Sequence, residues 1–251
     1  MHAAPAGWPA GVDRVILDEI DSTSEEAARR APVGPLWIMA RRQTGARGRR
    51  GRAWSMPEGN FAASLAWRPG GDPAAMALRS FVASLALHDT LAGMEVAGLS
   101  LKWPNDVLLD GRKLAGILLE SPRPGFLVLG IGVNLVAGPD PSTLEPGALA
   151  PISLRDASGL RIEPEAFLDA LAPAVAARET QFTTLGFAPI RSAWLAHAAR
   201  LGETITARTM ADATSGTFED VDAEGHLVLG TPDGPVRITA GDVFFGEPSC
   251  S

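Results

Sequence analysis

Short apolar runs broken by glycine, proline and polar clusters fill the first two hundred residues, and most are strand-length. Residues 12–20 (VDRVILDEI), 36–42 and 61–67 predict strands. Between the first two, Asp21 and Ser22 offer N-cap oxygens. Ser22 and Glu25 stand at capping-box spacing before a short helix over 26–30. An Ala/Leu/Met-rich stretch predicts one helix over 73–93, with Asp72 as its N-cap. Strands follow at 99–103, 107–109 and 114–120, and Asp110-Gly111 supplies a hairpin turn between the last two. Residues 126–135 (FLVLGIGVNL) form an apolar strand run with Gly130 and Gly132 on one face. Helical patterns occupy 164–182 and 189–200.

After Gly202 the texture changes. Short strands at 204–209, 214–221, 226–230 and 236–240 are separated by turns such as Ala223-Glu224-Gly225 and Pro232-Asp233-Gly234. The pattern is α+β up to about residue 200, then a small barrel-like β module docked on it. Residues 1–11 are mostly Ala, Gly and Pro and read as a disordered tail. The units expected are therefore 1–11, 12–200 and 201–247.

The 251 residues carry 22 basic and 29 acidic side chains, a net charge of −7 that argues against a general polyanion binder. Cys250 is the one cysteine, which excludes a disulfide framework and a cysteine-built metal site. No run approaches a membrane span and no signal layout opens the chain, so a cytoplasmic monomer or small oligomer is expected. Of the basic residues only two, Lys102 and Lys113, are lysine; there is no tyrosine. GC-rich coding explains the scarcity, but not why both survivors fall in one predicted hairpin.

Six arginines lie within residues 41–52 (RRQTGARGRRGR), with glycines at 45, 48 and 51. Such glycines allow tight turns and close backbone approach, and arginine forks hold carboxylate or phosphate oxygens. A single copy between two predicted strands fits a loop that folds over an anionic small molecule. It fits a solvated loop or a repeated RGG-type nucleic-acid segment less well. In residues 101–106 (LKWPND), Pro104 is expected to hold Trp103 extended and to present Asn105 and Asp106 at a strand end. Lys113 returns beside them, where a compact ammonium is chemically distinct from arginine.

At these residues the chain resembles the biotin protein ligases. Asp21 to Ala27 resembles the family's D-S-T-N-x-x-A, and Gln43 to Trp54 its Q-x-x-G-R-G-R-x-G-R-x-W. Lys102 to Asp106 is its K-W-P-N-D, Arg112 to Glu120 its K-L-A-G-I-L-x-E, and Gly130 to Asn134 its G-I-G-x-N. The resemblance covers about residues 12–245. It implies a mixed-sheet catalytic domain of the class II synthetase type and an SH3-like C-terminal module. Ser22, Thr23, Ser24 and Gln43 would then meet biotin's ureido end, and Gly116, Gly130 and Gly132 would keep the pocket floor open. Arg47, Gly48 and Arg49 would close over the biotin carboxylate and the adenylate phosphate, with Lys113 joining the two. Arg52, Trp54, Lys102, Asn105, Asp106 and Asn134 would serve ATP. Lys113, Arg49 and Asp106 are the catalytic candidates. Ala46 and Ser24 depart from the usual Gly and Asn, so altered loop dynamics and an altered biotin contact are expected.

The implied reaction is adenylation of biotin by ATP, with Mg²⁺ carried by the nucleotide and Asp106 the one side chain in the motif suited to bind it. Biotin then passes to a lysine of the biotin carboxyl carrier domain of a carboxylase, with Asp106 the nearest base. A homodimer is compatible with this reading. With catalytic sequence starting at Val12, a preceding DNA-binding domain of the kind some members carry is not expected. Two rivals are a lipoate-type ligase, whose R-R-x-S-G-G-G block is not matched, and an arginine-loop RNA-binding module. His2, His88, His197 and His226 show no metal-ligand spacing, and Asp18, Glu19 and Asp21 read as helix N-terminal charge. Few lysines also leave few sites for self-modification by an acyl-adenylate.

Overall fold

The computed structural model describes residues 7–145 and 147–245. Seven strands build one mixed sheet: β1 (Asp13–Ile20), β2 (Leu36–Gln43), β3 (Phe61–Trp67), β4 (Leu99–Lys102), β5 (Asp106–Leu109), β6 (Arg112–Arg123) and β7 (Phe126–Val133). Their spatial order is β1-β2-β3-β7-β6-β5-β4; β1 and β2 are parallel and every other neighbour is antiparallel. The parallel pair needs a crossover, which α1 (Thr23–Arg30) provides. Ser22 caps α1 by accepting from the Glu25 N–H at 3.5 Å, while its own N–H goes to Asp21 Oδ1. Only half of the expected capping box forms.

Alternation of side chains across β3 explains the two faces of the sheet. Phe61, Ala63 and Leu65 join the main core, against α3 (Arg79–Gly93) and α5 (Pro164–Leu185); Phe61 meets Phe167 edge-on at 5.0 Å. On the opposite face Ala66 packs with Leu36, Ile38, Phe126, Val128 and Ala27 of α1. Further along that face the residues shrink: Ser64 pairs with Gly130, and Ala62 with Gly132, which in turn pairs with Gly116. The concavity left there is the floor of the site.

The helix expected over 73–93 divides at Leu78 into α2 (Pro73–Ala77), capped by Asp72, and α3. At that division Arg79 turns inward to Glu179 of α5 at 2.7 Å. Two more helices are α4 (Leu154–Ser158) and α6 (Phe187–Ala196). Trp103, Pro104 and Asn105 make the β4–β5 turn, so the strand expected over 99–103 ends at Lys102. Trp8 donates to Val12 O and lies under Arg14, so packing begins ahead of β1; residues 1–6 of the expected tail lie outside the described residues.

The second sheet is antiparallel, in the order β11 (Gly234–Ile238), β10 (Leu227–Thr231), β9 (Ala213–Val221), β8 (Thr204–Arg208) and β12 (Asp242–Phe244). Among the described residues no ladder joins β11 to β12, so the expected barrel stands here as an open five-stranded sheet. Residues 246–247 of the expected module lie outside the described residues. Strand β12 was not expected from the sequence. No helix of the described residues is long and apolar enough to cross a membrane.

Candidate functional site

A cavity of about 620 Å³ opens on the small-residue face of the mixed sheet, and every site residue expected from the sequence lines it. The floor is made by strand pairing. A methyl group on Gly132 would stand 2.6 Å from Trp54 Cε2, and one on Gly116 would stand 3.1 Å from the same ring. Trp54, assigned by resemblance to the nucleotide side, therefore lies over the glycine floor. A methyl on Gly130 would meet Ser24 Oγ at 2.8 Å.

One end of the cavity is lined by hydroxyl groups from the start of α1 and by the Gln43 amide at the end of β2. Ser64 Oγ donates to Thr23 Oγ1 at 2.8 Å and lies 3.1 Å from Ser24 Oγ. Gln43 Oε1 accepts the Thr23 N–H at 2.7 Å, and Gln43 Nε2 faces Met56 Sδ. Ser64, which lies behind the cavity lining and braces these hydroxyls, was not anticipated. Its signal is a lone hydroxyl in the apolar run Phe61–Trp67, where it is wholly buried.

The other end is cationic. Lys113 Nζ lies 2.8 Å from Asp106 Oδ1, outside hydrogen-bond alignment, and Lys102 Nζ lies 3.6 Å from Oδ2. Burial pushes the Asp106 carboxyl up, but Lys113, Lys102 and Arg49 more than reverse this and hold it below the usual carboxylate range. Burial pulls the Lys102 ammonium down against the opposing pull of Asp106. A carboxylate held down by two ammonium groups is a poor proton acceptor and a good anchor. Asn105 Nδ2 donates to Ile117 O at 2.6 Å, which fixes its amide beside Arg49 Nη1. Asn134 Nδ2 donates to Ile152 O, and its buried Oδ1 has no partner among the described residues.

Over this end folds the arginine loop. An Arg47–Ala53 bridge, Gly48 N–H to Arg52 O and Trp54 N–H to Ala46 O close it, with a 3-10 turn at Arg49–Gly51. Its cations meet acidic groups from across the fold. Arg47 pairs with Glu25 at 2.6 Å and Glu120 at 3.0 Å, and Arg52 pairs with Glu145 and Asp242. None of these four carboxylates was expected in the site. Asp242 had no sequence signal, because its strand was itself unrecognised.

Three smaller expectations change. Asp18 and Glu19 pair with Arg41 and Arg42 of β2, because β1 and β2 are in parallel register; only Asp21 serves the helix, through Arg29. His88 and His197, isolated in sequence, stack at 3.9 Å. Asp106 does not fit Mg²⁺ here, since both its oxygens face ammonium groups. The three-group cluster Asp222, Glu224 and His226 lies outside the cavity lining.

Comparison with known proteins places the chain in a family. Residues 17–135 match the Biotin/lipoate A/B protein ligase family, and residues 201–246 match the Biotin protein ligase C terminal domain. A biotin–[acetyl-CoA-carboxylase] ligase of Paracoccus denitrificans is 52% identical over 239 residues, covering 92% of this chain and 100% of that one. The bifunctional ligase/repressor BirA of Bacillus subtilis is 32% identical, over 92% of this chain and 72% of its own length. The solved biotin protein ligase of Aquifex aeolicus in complex with biotin and ATP shares the fold, with a TM-score of 0.81 and 24% identity over 92% of this chain and 97% of that one. The chain belongs to the biotin protein ligase family.

Proposed function

We propose that the cavity activates biotin with ATP to biotinyl-5′-AMP and passes biotin to a lysine of the biotin carboxyl carrier domain of a carboxylase. The observation that carries this reading is the position of Lys113. It stands between the glycine floor under Trp54 and the Asp106–Asn105–Arg49 cluster. The polar groups of Thr23, Ser24 and Gln43, braced from behind by Ser64, suit a ureido ring, and the Trp54 indole seated on the glycine floor offers a flat apolar face to a thin bicyclic body with its valerate chain. The carboxylate would then reach Lys113.

Two anions must meet for adenylation, so fixed cations in a shielded cleft are the direct remedy. A carboxylate oxygen attacks the α-phosphorus, the bond to the β-phosphate oxygen breaks, and pyrophosphate leaves. Lys113 and Arg49 lower the repulsion, while Asp106 holds both lysines in place. Mg²⁺ would enter with the ATP phosphates and not on Asp106. In the second step a neutral amine attacks the acyl carbon, the acyl–phosphate C–O bond breaks, and AMP leaves while the nitrogen loses a proton. Arg47, held between Glu25 and Glu120, closes the loop side and limits water access to the adenylate.

The test is pyrophosphate release from MgATP with biotin or lipoate, followed by transfer to a carrier domain. Biotin-dependent release is expected; release with lipoate alone would favour the lipoate reading, and RNA binding without turnover the RNA-binding one.

A further inference from the structure

Asp242 begins β12, a strand remote in sequence from every motif of the cavity, yet it lines the cavity. Its carboxylate meets three guanidinium groups of the arginine loop: Arg49 Nη1 at 3.4 Å, Arg50 Nη1 at 3.0 Å and Arg52 Nη2 at 2.9 Å. Gly241 O accepts a further bond from Arg49 Nη1 at 3.1 Å. The Asp242 side chain is 15% exposed. Its backbone is held by pairing with Arg208 of β8, and a methyl on Gly241 would stand 2.7 Å from Arg208 O, so the strands are closely set.

The loop needs such an anchor. Arg50 lies at φ +56°, a conformation that costs a non-glycine residue energy unless its surroundings hold it. Arg49 spends only Nη1 on Asn105, Gly241 and Asp242; among the described residues its Nε and Nη2 have no partner. One edge of the guanidinium is fixed to the second sheet, and the other edge remains for an anion.

We infer that Asp242 is a positioning residue for ATP: it fixes Arg49 and the loop tip so that the free edge of Arg49 receives the nucleotide phosphates. The C-terminal sheet thereby supplies part of the nucleotide site without touching the nucleotide through Asp242 itself. This rests on the ATP-dependent reading above.

The experiment compares Asp242→Asn, which keeps shape and removes charge, with Asp242→Glu. In Asp242→Asn the KM for ATP is expected to rise on the order of tenfold while the KM for biotin stays within about twofold. Trypsin nicking within residues 47–52, read without turnover, is expected to quicken about fivefold. Asp242→Glu is expected to move both readouts back toward wild type. An ATP KM that is unchanged or lower in Asp242→Asn overturns the inference, as does an unchanged nicking rate. A purely structural role would move both substrates' KM together. If the wild type shows no biotin-dependent pyrophosphate release, the functional reading fails, while the nicking comparison still reports whether Asp242 anchors the loop.

Discussion

Lys113 Nζ and Lys102 Nζ sit on opposite oxygens of Asp106, at 2.8 and 3.6 Å, so the two lysines of the chain share one buried carboxylate. Two cations on one anion leave net positive charge at the inner end of the cavity. That charge is fixed before any substrate arrives, which is the useful condition for bringing two anions together.

Lys113→Arg keeps the charge but replaces a compact ammonium by a planar fork. We expect a loss of adenylation on the order of 100-fold, read as biotin-dependent pyrophosphate release, because the group is placed on developing charge. Near-wild-type turnover would remove Lys113 from this role.

Asp106→Asn leaves Lys102 buried without its counter-charge and is expected to destabilise the fold by about 3 kcal/mol at pH 7, read from the urea midpoint. The sign of the pH effect follows from the lowered pKa of Asp106. Its stabilisation is complete above the unfolded carboxylate value and is lost as pH falls through the folded one. Asp21, held at about 2 by Arg29 and the Ser22 N–H, also loses its stabilisation on the acid side. Asp106→Asn should therefore flatten the loss of stability below about pH 4, leaving the Asp21 part. An unchanged acid limb would contradict the pairing.

Gly132→Ala places a methyl 2.6 Å from Trp54, at a position with ordinary strand backbone. The fold should survive, because the indole can shift into the cavity. Calorimetry should show biotin binding weakened by more than about tenfold, with altered Trp fluorescence. Unchanged affinity would show that the floor is not where biotin lies.

Ser64→Ala removes the donor to Thr23 Oγ1 and the neighbour of Ser24 Oγ. A stability loss of about 1 kcal/mol is expected, with weaker biotin binding and an unchanged KM for ATP. A change in ATP KM alone would place the hydroxyl set at the wrong end.

Lys102 is buried and Lys113 is paired, so neither is a free amine. Mass spectrometry after prolonged turnover without acceptor should find little biotin on either. Met210→Lys adds a fully exposed amine on the surface and should become labelled. Heavy labelling of Lys113 in the wild type would refute the protection.

Much of the site was legible because its residues sit in contiguous blocks whose local conformation is locally determined. Asp110-Gly111 at φ +50° and +71° makes the hairpin that returns Lys113 to Asp106, and both the turn and its consequence were readable. Gly130 and Gly132 share a face because a strand repeats every two residues. Ser22 caps α1 as its type and place require.

What stayed hidden depends on distant partners. Ser64 came to brace Thr23 and Ser24 from behind only when β3 was laid beside β7 and α1. The destination of Glu25 was set by the loop opposite it, which took the carboxylate that a capping box would have used. Asp242, 190 residues from Arg52, carries no local mark at all. By itself, the sequence determined most of the strands, the hairpin turns and the identity of the cations, because backbone preference and side-chain chemistry are local. Tertiary structure alone decided which carboxylate neutralises which cation and which guanidinium edge stays free, because ion pairing is set by distance in space and not along the chain.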